Sequence, residues 1–334
     1  MKILFVSNSN PHFRNTNHYR LRALSSMGHQ VLFFDVRGWW RHSRLGQVLP
    51  WVEAFFVWAM NLDLRRTAAR FCPDHCFVIG GFEVQRATLI SLRRQGIVCT
   101  LWTTDAPDPA YFGPITAAAS AYERVFCAGT EAILLLEQAG CSRVQWLPFA
   151  CDPELHTSVP SAEDYRREVA FVGSYYPNRA VVLSGLTFFR LGIWGPLWDR
   201  LPAGSPLKAF ARDCRLDYEE WRRIYASADI VLVIHYQDGK IACNQASPKL
   251  FEAMACGAFV LCDRQKDAMT LFQDGQHLVF FQDEQDLQQK VRYYLSRPDE
   301  RRRIAARGRQ EVLSRHTYVD RMNLLLGAAA ENCP

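Results

Sequence analysis

The amino-acid sequence predicts an α/β protein with two domains, each built around a parallel β-sheet. Short apolar stretches with the character of buried strands alternate with helical stretches along the chain, as in βαβ units with right-handed crossovers. A chain of 334 residues is also too long for one ordinary core and comfortable for two domains. A second strand–turn–helix unit begins near Glu168, where the second sheet would start.

Composition argues against several classes of protein. The net charge of +5 is mild, and no Lys/Arg block is dense enough to indicate nucleic-acid binding. The opening MKILFVSNSN resembles a strand and turn rather than an apolar signal peptide. We therefore expect a cytoplasmic protein whose eleven cysteines are reduced thiols. Cys72 and Cys76 have no second pair at zinc spacing, so no metal site is predicted.

The first domain opens with a strand–turn–helix–strand unit. Lys2–Ser7 and residues 30–36 are predicted strands, with a helix over residues 15–27 between them. The polar turn at residues 8–11 follows the first strand, where open α/β sheets bind ligands. This turn lacks the G-x-G-x-x-G pattern, which argues against an NAD-binding first half.

Two polar side chains of the first domain are candidate catalytic residues. Asp105 ends a predicted strand over residues 99–105, at the edge that also holds the turn at residues 8–11. Its carboxylate would therefore lie at the edge of the sheet where a ligand binds. His18 in the first helix is the second candidate. The alternatives are a turn or capping role for Asp105 and a surface role for His18, and the surface role is the favoured interpretation of His18.

One stretch of the first domain suggests contact with a membrane surface. Residues 38–44, GWWRHSR, combine tryptophan with arginine, and a long helix is predicted at Pro50–Phe71. Residues 48–60 are largely apolar but contain Glu53 and are too short to span a bilayer. Burial of this stretch is the favoured interpretation. Weak peripheral contact with an anionic membrane face is the alternative.

The remaining elements continue the alternation of strands and helices. Further strands are predicted at residues 75–81, 124–129, 143–150, 190–196, 229–235 and 278–283, and further helices at residues 83–95 and 130–138. A linker with two prolines is predicted at residues 152–162. From Glu284 onward the pattern is helical, and it ends in an amphipathic helix over residues 316–326.

The first strand of the second domain ends in a tight turn before a helix. Residues 168–175 form the strand, Gly173 and Ser174 the turn, and the helix begins near Pro177. Such a junction can bring backbone N–H groups and Arg179 to a phosphate.

The stretch SPKLFEAMACGAFVLCD, residues 247–263, predicts a helix of about three turns followed by a short buried strand. Ser247 is a good N-cap, the proline after it suits the first helical position, and Gly257 supplies the stop. The N-terminus of this helix would carry about half a positive charge and several unpaired N–H groups. Lys249 adds a full charge there, and Glu252 lies on the same side.

Lys249 and Glu252 together suit a nucleotide. A phosphate would be met by the N–H groups and Lys249, and ribose hydroxyls by Glu252. The alternative is a capped core helix with a solvated Lys–Glu pair.

Several of these segments resemble a known family, the spore-maturation CgeB-like glycosyltransferases, which belong with the group-1, family-4-like enzymes of GT-B fold. The resemblance is carried by SPKLFEAMACGAFVLCD, by FVGSYYPNR (residues 171–179), by the LF-x-DG segment (residues 271–275), by YYLSRPDERRRIA (residues 293–305) and by HTYVDR (residues 316–321). It is close over residues 168–326 and looser over residues 1–150, where residues 103–108 and 129–140 fit.

The resemblance implies two Rossmann-like domains that face each other across a cleft. Residues 1–160 would form the acceptor domain, residues 161–315 the nucleotide-sugar domain, and residues 316–334 a helix crossing back to the first domain. The positions that match the binding site for the donor diphosphate are Gly173, Ser174, Arg179 and Lys249. Glu252 matches the carboxylate that holds ribose.

One position departs from the pattern of this family. Related retaining enzymes carry a further Glu eight positions before the ribose Glu, and this chain has Asn244 there. An amide can hydrogen-bond a sugar hydroxyl but cannot stabilise an oxocarbenium charge as a carboxylate would. Asn244 is therefore a catalytic candidate, and the donor sugar and the stereochemical course stay open.

The predicted function is transfer of a sugar from a nucleotide-diphosphate sugar to a glycan, protein or lipid-linked acceptor. A UDP-sugar is the favoured donor. Retention of configuration is expected, with no cofactor and no obligatory metal, because no Asp-x-Asp pair stands at a strand end. Two alternatives are a non-catalytic sugar-nucleotide-binding protein and a sugar-nucleotide epimerase or hydrolase.

Overall fold

The computed structural model describes residues 1–8, 16–36, 50–81, 83–237, 239–241 and 243–330. The chain divides into two compact units. The first unit holds the chain up to Pro148 together with Ile241–Cys243, and the second holds most of the chain from Phe149 onward. Residues 9–11 of the turn predicted at residues 8–11, and the aromatic and basic segment at residues 38–44, lie outside the described residues.

The first unit is built on a six-stranded parallel sheet, with strand order β2-β1-β3-β4-β5-β6. Its strands are β1 (Lys2–Ser7), β2 (Gln30–Asp35), β3 (His75–Ile79), β4 (Val98–Thr103), β5 (Arg124–Cys127) and β6 (Val144–Trp146). Its helices are α1 (Thr16–Ser26), α2 (Pro50–Phe71), α3 (Arg86–Arg93), α4 (Pro109–Ala119) and α5 (Ile133–Gln138). The strand predicted at residues 143–150 is thus shorter than expected, and α4 lies where the sequence patterns assigned no element.

The central strands of this sheet are buried on both faces, as a parallel sheet between helices requires. All of β3 is buried, including His75, whose Nε2 lies 2.9 Å from Thr100 Oγ1 on β4. Burial, helped by the charge of Arg124, lowers the pKa of His75 to about 4. This histidine is therefore a neutral core residue at physiological pH.

The second unit is built on another six-stranded parallel sheet, with strand order β12-β11-β10-β7-β8-β9. Its strands are β7 (Arg167–Val172), β8 (Leu191–Gly195), β9 (Ala211–Asp213), β10 (Ala228–Val233), β11 (Val260–Asp263) and β12 (Val279–Phe281). Its helices are α6 (Pro177–Ser184), α7 (Tyr218–Ser227), α8 (Pro248–Ala255), α9 (Lys266–Leu271), α10 (Glu284–Leu295), α11 (Pro298–Arg315) and α12 (Tyr318–Ala330). The direction of strand order reverses between β7 and β10, which is where sheets of this kind bind ligands.

The second unit starts earlier in the chain than the predicted boundary after residue 160. The reason is backbone pairing with the C-terminal segment. The N–H of Cys151 donates to the carbonyl of His316 at 2.9 Å, and the N–H of Tyr318 donates to the carbonyl of Cys151 at 2.9 Å. Helix α12 also belongs to the second unit. Its predicted crossing to the first domain stays a prediction.

Helix α2 has the bounds that the sequence predicted. Phe55 and Trp58 are 57% and 52% exposed, and their ring centroids lie 6.0 Å apart. Within the described parts of the chain, no helix combines the length and the apolar character needed to cross a bilayer.

Candidate functional site

A cavity of about 160 Å³ lies at the carboxyl ends of β7 and β10, where the strand order of the second sheet reverses. Polar groups from three chain segments line it: Gly173, Ser174 and Arg179 after β7, the backbone around Ile234 after β10, and Ser247 and Lys249 at the start of α8. The structure therefore brings together the four residues predicted to bind the donor diphosphate.

The turn after β7 is held rigidly by its neighbours in the sheet. The N–H of Gly173 donates to the carbonyl of Trp194 at 2.9 Å, and the indole N–H of Trp198 donates to the carbonyl of Gly173 at 2.8 Å. A Cβ at Gly195 would lie 2.1 Å from that same carbonyl oxygen, so glycine is required there. The N–H of Ser174 donates no hydrogen bond within the described residues. It is therefore the amide of this turn that can meet a phosphate.

Arg179 is engaged with protein carbonyls around the cavity. Its Nε donates to the carbonyl of Ile234 at 3.0 Å, and its Nη1 donates to the carbonyl of Ser174 at 3.0 Å. Its guanidinium also stacks 5.0 Å from the ring centroid of Tyr176. Arg179 thus ties the turn after β7 to the end of β10 and places its positive charge beside the cavity.

Helix α8 begins as the sequence predicted, with Ser247 as its N-cap, but it is eight residues long rather than three turns. The expectation of several unpaired N–H groups at its start is wrong. The N–H groups of Lys249 and Leu250 donate to the side chain and the carbonyl of Ser247, at 3.3 and 3.0 Å, and Pro248 has none. The N–H of Ser247 donates to His235 Nε2 at 3.0 Å. The positive charge that the helix offers a ligand is therefore mainly the ammonium of Lys249.

Lys249 and Glu252 form an ion pair at 2.9 Å. The Lys249 side chain is 36% exposed, whereas that of Glu252 is 4% exposed and is not part of the cavity wall. The alternative of a solvated Lys–Glu pair does not fit this buried carboxylate. Burial alone would raise the pKa of Glu252, but the charges of Lys249 and His156 and the hydrogen bond from Lys249 bring it below its ordinary value. Glu252 is therefore an ionised acceptor at neutral pH.

Two aromatic residues beside this ion pair were not predicted from the sequence. The Trp221 ring centroid on α7 lies 5.3 Å from Lys249 Nζ, and the ring of His156 lies 5.4 Å from that of Trp221. His156 is buried, and its Nδ1 accepts from the N–H of Asp152 at 3.0 Å. No local pattern could have placed these rings beside Lys249, because the contacts join distant parts of the chain.

The three predicted catalytic residues lie apart from the cavity wall. Asn244 is half-buried in the second unit, and its carbonyl accepts from the N–H of Asp267 at 3.1 Å. Asp105 is exposed beyond the end of β4, and His18 is half-buried in α1. Both belong to the first unit.

The first unit also holds a buried polar network that was not predicted from the sequence. Asn17 Nδ2 donates to Ser7 Oγ at 2.8 Å, and Arg20 Nη1 donates to Asn17 Oδ1 at 2.8 Å. The fully buried guanidinium of Arg20 lies 4.3 Å from the ring centroid of Trp102. This network fixes helix α1, which carries His18, to the ends of β1 and β4.

Three side chains of the second unit have atoms close enough for a shared metal ion. The potential ligand atoms of His235, Cys262 and Asp263 all lie within 4.8 Å of one another. His235 Nε2 accepts from the N–H of Ser247, so the ring proton is on Nδ1, which donates to Asp263 Oδ1 at 2.6 Å. A protonated Nδ1 cannot bind a metal, so this geometry is that of a hydrogen-bonded cluster.

A larger cavity, of about 490 Å³, lies near the starts of β10 and β11 in the same unit. It contains none of the predicted site residues, and Arg301 in its wall is paired with Asp229 at 2.6 Å. The chemistry of the smaller cavity, rather than its size, identifies it as the candidate site.

The two units, each with a six-stranded parallel sheet between helices, have the architecture of the GT-B fold. A family model described as glycosyl transferase-like matches residues 178–327. Spore protein CgeB of Bacillus subtilis (strain 168) is 22% identical over 262 residues, which cover 74% of this chain and 80% of CgeB.

Solved structures show the same fold. Sucrose-phosphate synthase from Thermosynechococcus elongatus superposes with a TM-score of 0.71 at 14% identity, covering 99% of this chain and 100% of that one. HepE from Anabaena, in complex with UDP-glucose, superposes with a TM-score of 0.67 at 14% identity, with the same coverage. The predicted GT-B fold, the resemblance to CgeB-like proteins and the assignment as a glycosyltransferase are thereby confirmed.

Proposed function

We propose that the protein transfers a sugar from a UDP-sugar to an acceptor, with the nucleotide bound at the cavity between β7 and β10. The observation that supports this most directly is the ion pair of Lys249 with the buried Glu252 beside that cavity. The choice of uracil rests on HepE, whose structure holds UDP-glucose on a similar fold.

The diphosphate would be met by Lys249 and by the N–H of Ser174, with the charge of Arg179 nearby. Gly173 lets the backbone approach closely. The turn that holds Ser174 and the side chain of Arg179 are fixed before the nucleotide arrives, so they can stabilise the charge that develops on the leaving diphosphate without reorganising. Among the described residues, no acidic side chain lines the cavity. The proposed reaction therefore needs no metal ion.

Glu252 would hold the ribose. Its carboxylate is ionised but faces Lys249 in the nucleotide-free protein. When a diphosphate enters, the Lys249 ammonium turns toward it, and the carboxylate becomes available to the ribose hydroxyls. One movement of a single long side chain would thus prepare both contacts.

The chemical step is assigned to residues outside the cavity wall. Asp105 and His18 are proposed on the acceptor side, and Asn244 is proposed to hydrogen-bond the donor sugar. Retention of configuration is proposed from the family resemblance, although Asn244 supplies an amide where related enzymes have a carboxylate.

The experiment that tests this function has two stages. Thermal unfolding is first measured with UDP, GDP and ADP and with their glucose conjugates. A bound donor at a hundred times its Kd should stabilise the folded state by about 2.7 kcal/mol. The stabilising donor is then incubated with candidate glycan, peptide and lipid-linked acceptors.

Acceptor-dependent release of UDP together with a mass gain on the acceptor is the expected result. Binding without release would indicate a sugar-nucleotide-binding protein instead. Release or isomerisation of the donor without any acceptor would indicate a hydrolase or an epimerase.

The exposed face of α2 supports weak contact with an anionic membrane as part of this function. Phe55, Trp58 and Leu62 share one helical face, and the exposed Arg66 and Arg70 flank it. These two arginines make no ion pair within the described residues. Apolar rings flanked by cations are typical of helices that lie at a membrane interface. A cytoplasmic protein with this face would reach lipid-linked acceptors from the inner side of the membrane.

A further inference from the structure

We propose that His235 is a positioning residue for the nucleotide site, which it serves by fixing the first turn of α8 to the end of β11. The proposal rests on the function proposed above for Lys249 and Glu252. His235 touches neither nucleotide nor sugar in this role. It acts through Ser247, which precedes both functional residues on the same helix.

The imidazole of His235, in the segment after β10, joins the start of α8 to the end of β11. Its Nδ1 donates to Asp263 Oδ1 at 2.6 Å at the end of β11, and its Nε2 accepts from the N–H of Ser247 at 3.0 Å. The ring is 3% exposed, so both bonds are shielded from water. A buried bond of this kind is costly to leave unmade.

The backbone of the same segment anchors the other side of the cavity. The carbonyl of His235 accepts from Asn178 Nδ2 at 2.9 Å, and the carbonyl of Ile234 accepts from Arg179 Nε at 3.0 Å. These two bonds need no particular side chain at residue 235. A substitution there consequently tests the link to α8 and leaves the link to α6 in place.

The N–H of Ser247 is the group whose partner decides the position of α8. Ser247 caps the helix with its side chain, so its backbone position sets where the first turn begins. His235 Nε2 holds that backbone against the sheet. Without this acceptor the N–H would be unsatisfied in a half-buried place, and the turn that carries Lys249 would be free to shift.

Asparagine and glutamine at residue 235 separate the two bonds. The amide of His235→Asn occupies the place of Nδ1 and can keep the bond to Asp263, but it is too short to reach Ser247. The amide of His235→Gln extends to the place of Nε2 and can accept from Ser247, while the backbone N–H of residue 235, which donates to the Asp263 carboxylate at 3.1 Å, keeps the link to β11. Both variants are neutral and polar, so the fold of the second unit should survive in each.

The test combines amide hydrogen exchange of the nucleotide-free protein with calorimetric titration of UDP. For His235→Asn we expect faster exchange across residues 247–252 and an affinity for UDP about tenfold weaker, which equals about 1.4 kcal/mol. For His235→Gln we expect exchange and affinity close to those of the wild type. The matched control is His75→Asn, a buried histidine of the first unit, which should lose stability and keep its affinity for UDP.

Each other outcome is decisive. Unchanged exchange in His235→Asn would overturn the proposal, and so would faster exchange with unchanged affinity. Equal loss of affinity in the Asn and Gln variants would show that the bond to Ser247 is not the one that matters. If the wild type itself binds no UDP, the proposed function fails, and the exchange of residues 247–252 still decides whether His235 fixes α8.

Discussion

Lys249 Nζ lies 2.9 Å from Glu252 Oε2, and the two partners differ sharply in their access to water. The carboxylate is 4% exposed and the ammonium side chain 36% exposed. If the exposed partner of such an ion pair moves away, the buried partner is left as an uncompensated charge, which destabilises the protein. The buried carboxylate of Glu252 therefore needs a cation or a hydrogen-bond donor beside it. The hydroxyl groups of a ribose could also meet this need.

Replacing Lys249 by alanine should weaken binding of the diphosphate specifically. A charge-assisted contact is worth about 1.5–3 kcal/mol, so the Kd for UDP should rise about ten- to a hundredfold, with a smaller effect on UMP. Calorimetric titration of both nucleotides measures the difference. Lys290→Ala is the matched control, since Lys290 makes an ion pair with Asp286 at 2.7 Å elsewhere in the same unit. Unchanged affinity in a folded Lys249→Ala variant would move the donor site elsewhere.

Replacing Glu252 by glutamine should weaken the binding of UDP and of UMP by the same factor, because both nucleotides contain the ribose. The amide keeps the size of the side chain but removes the charge, and we expect a loss of about tenfold. The helix should stay folded, because its apolar residues Leu250, Phe251 and Met254 remain buried. Asp286→Asn, which removes the corresponding charge from the Lys290 pair, should leave both affinities as they are. If only the affinity for UDP falls, Glu252 acts by positioning Lys249 and does not bind the ribose.

Removal of metal ions should leave most transferase activity intact. The cavity wall offers the ammonium of Lys249 and the backbone N–H of Ser174 to the diphosphate, and none of its described residues is a carboxylate. The activity is measured after treatment with excess EDTA and again after addition of Mg²⁺ or Mn²⁺. Abolition by EDTA with recovery in Mn²⁺ would mean that a metal, and not Lys249, neutralises the leaving group.

The exposed face of α2 should bind anionic vesicles. Trp39, Trp40, Arg41 and Arg44, the residues first associated with this contact, lie outside the described chain, so the test uses Phe55 and Trp58. Sedimentation with phosphatidylserine-rich vesicles should fall several-fold in Phe55→Ser/Trp58→Ser and in high salt. Leu134→Ser, which removes an apolar side chain 64% exposed in the same unit, is the control. Equal pelleting of wild type and the double variant would contradict the proposed contact.

Stability should fall as the pH drops from about 6.5 to about 4. Burial, as the main cause, lowers the pKa values of His75 and His316 from 6.5 to about 4 in the folded protein. Between these values the unfolded chain binds more protons, so acid favours unfolding, whereas above 6.5 neither residue contributes. Each histidine adds a slope of up to about 1.4 kcal/mol per pH unit.

The measurement is the midpoint of thermal unfolding across this range. A His75→Gln/His316→Gln variant cannot take up these two protons, so its midpoint should vary less with pH than that of the wild type. Parallel curves would show that other groups cause the loss in acid.

Local signals predicted the fold well where a single segment decides the outcome. Pro50–Phe71 has the predicted bounds, and Ser247 and Gly257 begin and end α8, because capping and helical spacing are properties of neighbouring residues. Strand β9, at Ala211–Asp213, escaped prediction because three residues that are not buried carry no periodic signal.

The sequence singled out Gly173, Ser174, Arg179 and Lys249, which line the cavity, but it did not predict their hydrogen bonds or the rings of Trp221 and His156 nearby. Lys249 and Glu252 could be singled out because they are one helical turn apart. The satisfied N–H groups at the start of α8 could not be foreseen, because one acceptor, His235, lies in the segment after β10. Arg179 likewise donates hydrogen bonds to the carbonyls of Ile234 and Ser174, and these contacts form only when the unit folds.

The backbone pairing of Cys151 with His316 and Tyr318 closes the second unit on itself. Its first residues and its last helix are neighbours in space, although the length of the whole unit separates them in sequence. A polypeptide whose two ends meet can be cut out or joined at one point without disturbing its interior. Nearly all of the first unit precedes Phe149. Under the proposed function, a single recombination near residue 148 would therefore change the domain proposed to bind the acceptor and keep the residues proposed to bind the nucleotide.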